Sequence, residues 1–342
     1  MRKLFQGTNL LYTLGILALL VVAAFIKVPI PTIQLPAEKI FHVGGFPVTN
    51  TFIATIVADI TVLIIAFFAT HKMSDVPSGM QNLAEWFFEA FEGMLTDIAG
   101  KENTRKWIPI FMTIMIFLTF ANWWELIPGI DAVGIFEPLE VAYVESGRTV
   151  TRGYERGTFL GIPSLDGKKG VTLTEEERKS VLEEAEKAEA AGHAYHPEHP
   201  KGYVLKPFLR VAASDLNLPL ALALISVFWT QVVGFQFLKG KYLRRFVVPV
   251  ITGNKLIDGF VGALEFISEI AKIISFSFRL FGNVFAGQVL LFIMTFLLAF
   301  LLPLPFFALE LFVGFMQAFV FAILTFIFMS QAIQSHAGDE HH

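Results

Sequence analysis

The sequence predicts an all-α membrane protein. It has about five to six membrane helices, including a long tilted C-terminal helical hairpin, plus one amphipathic helix at the membrane surface. Three observations predict this class. Of 342 residues, 54% are hydrophobic, and the mean hydropathy is +0.61. Only 16% are charged, where a soluble domain carries about 25%. The apolar residues gather into runs of about 20, the length needed to cross roughly 30 Å of hydrocarbon. So much apolar surface excludes disorder, collagen and coiled coil. A net charge of −4 argues against a nucleic-acid partner, because phosphate binding needs a basic balance. The absence of cysteine removes disulfides, cysteine-ligated zinc, iron–sulfur clusters and thiol catalysis. Neither a His-Glu-x-x-His zinc motif nor a Gly-x-Ser-x-Gly elbow occurs, so covalent catalysis, a metal and a cofactor are not expected.

The elements follow in chain order. Residues 1–30 form an N-terminal hydrophobic span, its apolar run 9–28 preceded by Met1-Arg2-Lys3. The run reads as a retained helix or as a signal peptide, since Ala23-Ala24 could mark a cleavage site. Residues 31–128 hold two membrane spans, 51–70 and about 107–128. Between them Leu83, Trp86, Phe87, Ala90, Phe91, Met94, Leu95 and Ile98 recur at helical spacing, with Glu85, Glu89, Glu92 and Asp97 opposite. Residues 79–99 are therefore an amphipathic surface helix. Its polar face carries no Lys or Arg for anionic lipid, which favours packing against protein. Residues 129–214 form the long hydrophilic loop, in which Thr174 and Glu177 have capping-box spacing ahead of an exposed helix over 175–191. His193, His196 and His199 follow, but Pro197 and Pro200 break any shared helical face, so a solvated loop is expected. Gly161 to Lys169 only faintly resembles a phosphate loop, with spacing one residue too long and Lys169 where a hydroxyl should hold magnesium. Residues 215–342 comprise a span near 216–238, the apolar hairpin from 256 broken near Pro303 and Pro305, and a tail. No internal repeat stands out, which weighs against inverted-repeat transporters. The basic segments Met1-Arg2-Lys3, Lys101 to Lys106 and Lys239 to Arg245 belong in the cytoplasm by the positive-inside rule. The loop 129–214 is then external and the C-terminus cytoplasmic.

Polar groups inside apolar spans are costly and so carry most information. Glu265, Ser268, Lys272, Ser275 and Asn283 each fall within about 40° of Arg279 around a helix, a stripe roughly 27 Å long. Gln288 faces the other way, while Glu310 and Gln317, seven apart, share one face of the second arm. Ser and Gln often hydrogen-bond only from helix to helix. Arg279 is different, because guanidinium keeps its proton and calls for an anionic partner. Glu265 is some 21 Å away along the helix with the Lys272 ammonium closer to it, so a carboxylate from another subunit is the natural partner.

The run from Ser275 through Arg279-Leu-Phe-Gly-Asn283 to Gln288 closely resembles the signature of the subunit a family of F-type ATP synthases. The match extends back to Glu265, Ser268 and Lys272 and on to Gln317-Ala-Phe. It includes Asn122-Trp-Trp-Glu125-Leu-Ile-Pro and Ser214-Asp215-Leu-Asn217, covering about 40–128 and 207–335. The resemblance implies a non-catalytic, ion-translocating stator subunit in a bacterial plasma membrane, partnered by the c-subunit ring and the peripheral stalk b subunits. Arg279 would face the carboxylate of each passing c subunit, supported by Asn283, Gln317 and Ser275. Glu310, Gln288, Asn122, Glu125, Asp215 and Asn217 would line an external half-channel, and Glu265, Ser268 and Lys272 a cytoplasmic one. The chain departs from many bacterial relatives, which carry Glu at Gln288 and His at Glu310, so one carboxyl of that pair has moved to the other arm. Asp59, midway along the second span, matches no motif; it lines the external channel or pairs with a neighbouring subunit. The alternatives from other classes are a stand-alone transporter or channel with an Arg-based anion site, and a structural subunit whose polar stripe only packs.

Overall fold

The computed structural model describes Gly15 and residues 36–159, 161–247, 255–297 and 303–333. The span 9–28 apart from Gly15, the basic Met1-Arg2-Lys3 and the tail 334–342 lie outside the described residues. In chain order the elements are strands β1 (Lys39–Val43) and β2 (Phe46–Thr49), then helices α1 (Asn50–Thr70) and α2 (Gly79–Trp123). β3 (Gly134–Pro138), α3 (Leu139–Glu145), β4 (Arg152–Phe159), β5 (Ile162–Thr172), α4 (Glu175–Ala190) and β6 (Tyr203–Pro207) follow. The chain continues with α5 (Asn217–Leu238), α6 (Gly240–Val247), α7 (Lys255–Leu297) and α8 (Pro303–Ile333). Among the described residues five helical segments are long and apolar enough to span a membrane: Asn50–Thr70, Gly79–Leu126, Asn217–Leu238, Ile257–Leu297 and Pro303–Ile333. The chain is a multi-pass membrane protein.

The helices trace to the sequence signals. α1 and α5 begin within a residue of the spans that hydropathy marks. The surface helix and the third span run together as α2, which leaves helical geometry only at Gly100 (φ 77°, ψ 158°). That conformation is essentially open to glycine alone.

The chain divides into two compact units. The second comprises Ala54–Trp124, Val211–Phe285 and Phe312–His342. Its core joins Phe111, Met115 and Leu118 of α2 and Ala223 of α5 with Phe276, Leu280 and Val284 of α7 and Ala318, Phe321, Ala322 and Phe326 of α8. Alanines at 223, 318 and 322 are fully buried, as expected where membrane helices approach closely. A hydroxyl pair at 2.7 Å, Ser226 Oγ with Thr325 Oγ1, is also buried there. The amphipathic arm of α2 packs on this core, with the Phe91 ring 5.6 Å from Phe111 and 5.7 Å from Phe319. Ser330 Oγ donates to the Ile98 carbonyl at 3.1 Å. The arm lies against protein, in keeping with its lack of basic residues.

The first unit comprises Met1–Ile53, Glu125–Arg210 and Ala286–Leu311. Its β1–β2 hairpin turns through Gly44 and Gly45, both at positive φ, and leads straight into α1. The hydrophilic segment 129–214 contains the predicted helix α4, and Thr174 and Glu177 form the capping box. It also holds an antiparallel four-stranded sheet in the order β3-β6-β4-β5, which composition did not signal. The reason is visible in β6, where Val204 and Lys206 alternate as its buried residues. Lys206 Nζ is satisfied there by Glu137 at 2.6 Å and Glu145 at 2.9 Å. Leu139, Tyr143, Val150, Leu173, Val181 and Val204 make a small core of their own.

Candidate functional site

α7 sorts its side chains by face. Phe276, Leu280 and Val284, at four-residue spacing, enter the core of the second unit. One residue earlier, Ser275, Arg279 and Asn283 form a parallel row that stays exposed. Arg279 Nη2 donates to Ser275 Oγ at 3.4 Å. Among the described residues no carboxylate forms an ion pair with Arg279. Phe266, Ile267, Ile270, Ile274 and Phe278 are also exposed on α7, but about 100° or more around the helix from Arg279, so the guanidinium shares its own face with the polar row. Asn283 Nδ2 donates to Gln317 Oε1 at 2.7 Å, joining the predicted supporting pair across α7 and α8. Gln317 is buried, and its Nε2 has no partner among the described residues.

The rest of the stripe divides. Ser268 is exposed and Glu265 half-buried. Lys272 pairs with Glu269 (2.7 Å), three residues away on the same helix. Gln231 Nε2 also donates to the Glu269 carboxyl, at 3.0 Å, and Tyr242 Oη donates to Gln231 Oε1 at 2.8 Å. The ring of Phe328 covers the ammonium at 4.6 Å. Glu269, Gln231 and Tyr242 thus anchor Lys272, and sequence reasoning did not single them out as site residues.

The remaining predicted residues of the second unit are not joined to the Arg279 row among the described residues. Asn122 is buried and its Nδ2 donates to the Gly314 carbonyl at 3.2 Å. Asp215 is buried at the start of α5, accepting from the Asn217 backbone N–H at 3.3 Å and from Asn217 Nδ2 at 2.9 Å. Asp59 lies exposed on α1 and is not brought to any of these groups by a hydrogen bond or ion pair among the described residues.

The first unit gathers the others. Glu125 is 9% exposed, in a 3-10 turn Trp124–Leu126 that closes α2. Asp131, Arg210 and Glu310 are near enough to act on its charge, and Gln288 hydrogen-bonds to it. The carboxyl of Glu310 occupies the place where a Cβ on Gly287 would stand, so glycine is what admits it. Glu125, Gln288 and Glu310, predicted separately, are therefore one cluster.

Three members of that cluster escaped sequence reasoning: Arg210, Asp131 and Glu38. Arg210 Nε donates to Gln288 Oε1 at 3.3 Å, and its Nη1 donates to the Pro36 carbonyl at 3.4 Å. Asp131 lies in the 3-10 turn Ile130–Ala132, and burial lifts its carboxyl to about 7 against the opposing pull of Arg210. Burial likewise raises Glu38 to about 7, with Arg210 and Lys206 acting against it. Asn50 Nδ2 donates to Glu38 Oε2 at 3.0 Å. The available signal was weak: isolated charges flanking apolar runs, and a glycine inside a membrane helix one residue before Gln288.

Known proteins resemble this chain along most of its length. The family model for the ATP synthase A chain matches residues 51–330. The chain is 26% identical to the ATP synthase subunit a of Moorella thermoacetica over 299 residues, 87% of this chain and 97% of that protein. It is 27% identical to the subunit a of a Nitratiruptor species over 291 residues, 84% and 90% of the two chains. Over a shorter stretch of 122 residues, 35% of this chain and 49% of the relative, identity to the subunit a of Syntrophobacter fumaroxidans reaches 43%. With a match over residues 51–330 that takes in every site residue named above except Pro36, Glu38 and Asn50, the chain belongs to the ATP synthase A chain family.

Proposed function

We propose that this chain is the ion-translocating stator subunit of an F-type ATP synthase in a bacterial plasma membrane, with Arg279 facing the carboxylates of a rotating c ring. It is a non-catalytic, proton-conducting subunit. The carrying observation is Arg279 itself: a permanent cation exposed midway along a membrane-spanning helix, without a carboxylate partner among the described residues. An Arg at the centre of a membrane helix costs about 2.5–3.5 kcal/mol, so such a position calls for an anion from outside the chain. A ring of carboxylates supplies one at each step, and the guanidinium favours their ionised form. Because it cannot release its own proton, it also blocks direct passage between the two half-channels.

Glu125, Gln288 and Glu310, with Asn122, Asp215 and Asn217, belong to the external path in this reading. Glu265, Ser268 and Lys272 belong to the cytoplasmic one. Basic residues at Lys101 to Lys106 and Lys239 to Arg245 support a cytoplasmic C-terminus, and the b subunits of the peripheral stalk hold the stator against the ring. Each elementary charge crossing 100 mV supplies about 2.3 kcal/mol, which the ring delivers as rotation.

Arg279→Ala tests the reading in membranes carrying the whole complex. The expected result is loss of ATP-driven proton pumping and of ATP synthesis, while ATP hydrolysis by the released soluble sector persists. Pumping that survives the substitution overturns the proposal.

A further inference from the structure

Three carboxyl groups of the first unit, Glu125, Asp131 and Glu38, share the field of one buried guanidinium, Arg210. Only Glu125 has a role in the reading above. Asp131 lies beyond the end of the span Gly79–Leu126, in a turn entered through Gly129 at φ 88°. It is half-buried, whereas Glu125 is 9% exposed. Asp131 Oδ1 and Glu125 Oε1 are both buried without a hydrogen-bond partner among the described residues. Each is a carboxyl oxygen without a donor, and the two charges repel when both groups are ionised. A single proton relieves both conditions, because a neutral carboxyl gains an O–H to donate and loses its charge.

We propose that Asp131 is a further ion-carrying residue of the external path, passing its proton to Glu125, and that Arg210 is the positioning residue that holds the two carboxyls beside Gln288. The inference rests on the stator reading and deepens it. In the step, the O–H bond of Asp131 breaks as an O–H bond forms on Glu125. Asp131 is left as a carboxylate facing Arg210, and a proton from external water restores it. The groups acting on this pair are Arg210, from the segment after β6, and Glu310 of α8, which acts on Glu125. Arg210 also acts on Glu38, together with Lys206, Glu137 and Glu145. An ordinary carboxyl near pH 7 is almost wholly ionised and would seldom offer a proton. Asp131, lifted to about 7 by burial, exchanges one readily near neutrality.

The test is passive proton flux through the complex in vesicles from which the soluble sector has been stripped, with the pH on the external face varied. Asp131→Asn is expected to lower flux about tenfold and to abolish the titration of flux near neutrality, and Asp131→Glu to restore most of it. Arg210→Lys, which keeps the charge and loses the two-sided grip on Gln288 and Pro36, is expected to displace the midpoint of the same titration. Full flux with an unchanged pH profile in Asp131→Asn, alongside a block by Glu125→Gln, overturns this proposal and leaves the stator reading standing. If the complex carrying Arg279→Ala still pumps protons on adding ATP, the stator reading itself fails. Should Asp131→Asn not assemble, Asp131→Glu and Arg210→Lys decide: an unchanged profile in both overturns the proposal, and a shifted midpoint supports it.

Discussion

At the residue scale, Gly287 shows how one absent atom shapes the site. Its missing Cβ leaves the space that the Glu310 carboxyl fills, next to Gln288, whose side chain contacts Arg210 and Glu125. Gly287→Ala should push that carboxyl aside without touching the core, because the clash falls on the far end of a flexible side chain. Passive proton flux is expected to fall about tenfold, since moving a reacting group by an ångström can cost up to about 10²-fold. Normal assembly of the complex with flux at the unsubstituted level would show that the placement of Glu310 is immaterial. The row Ser275, Arg279 and Asn283 was legible in advance, because helical spacing alone puts its members on one face. The grip of Arg210 on Gln288 was not. Those residues are 78 apart in sequence, and no periodicity links them.

At the element scale, α2 joins two tasks in one run of 45 residues: an amphipathic arm lying on protein and a span crossing the bilayer. Gly100 separates them at φ 77°, ψ 158°, with no atom near the place of a Cβ. The demand there is on backbone conformation, not on space. Gly100→Ala should therefore destabilise by about 1–3 kcal/mol. Gly93→Ala, on the exposed side of the same arm, should stabilise slightly through higher helix propensity. Thermal unfolding of the detergent-purified complex distinguishes them, and equal melting temperatures for the two variants would contradict the assignment. Hydropathy found both halves of α2, but the hinge between them is a backbone angle that composition does not encode.

At the scale of the whole molecule, large apolar side chains lie open along α1, from Phe52 through Ile56, Ile60 and Leu63 to Phe67, as expected of a helix bathed in lipid. A few carboxyls outside the spans are instead buried near Arg210 and titrate in an unusual range. Glu38 is raised from 4.5 to about 7, worth about 3 kcal/mol between its two protonation states. The folded form holds this proton more tightly than the unfolded chain does. The contribution to stability is thus complete below about pH 4.5 and is lost as pH rises through about 7. Melting temperatures of the purified complex should decline across that window, and Glu38→Gln should flatten the decline while keeping an acceptor for Asn50. A slope identical to that of the unsubstituted complex would refute the assignment.

The sequence by itself determined the membrane class, the order and approximate ends of the described spans, the polar face that carries Arg279, and the family resemblance. Each of these is local: a run of apolar residues, a 100° step around a helix, or a contiguous motif. Tertiary structure alone decided that Gln231 reaches Glu269, that a four-stranded sheet lies within the hydrophilic segment, and that Glu125, Asp131, Gln288 and Glu310 gather near Arg210. These are contacts between distant segments, made wherever burial leaves a polar group needing a partner. The pairing is chosen by packing geometry, which sequence spacing does not report.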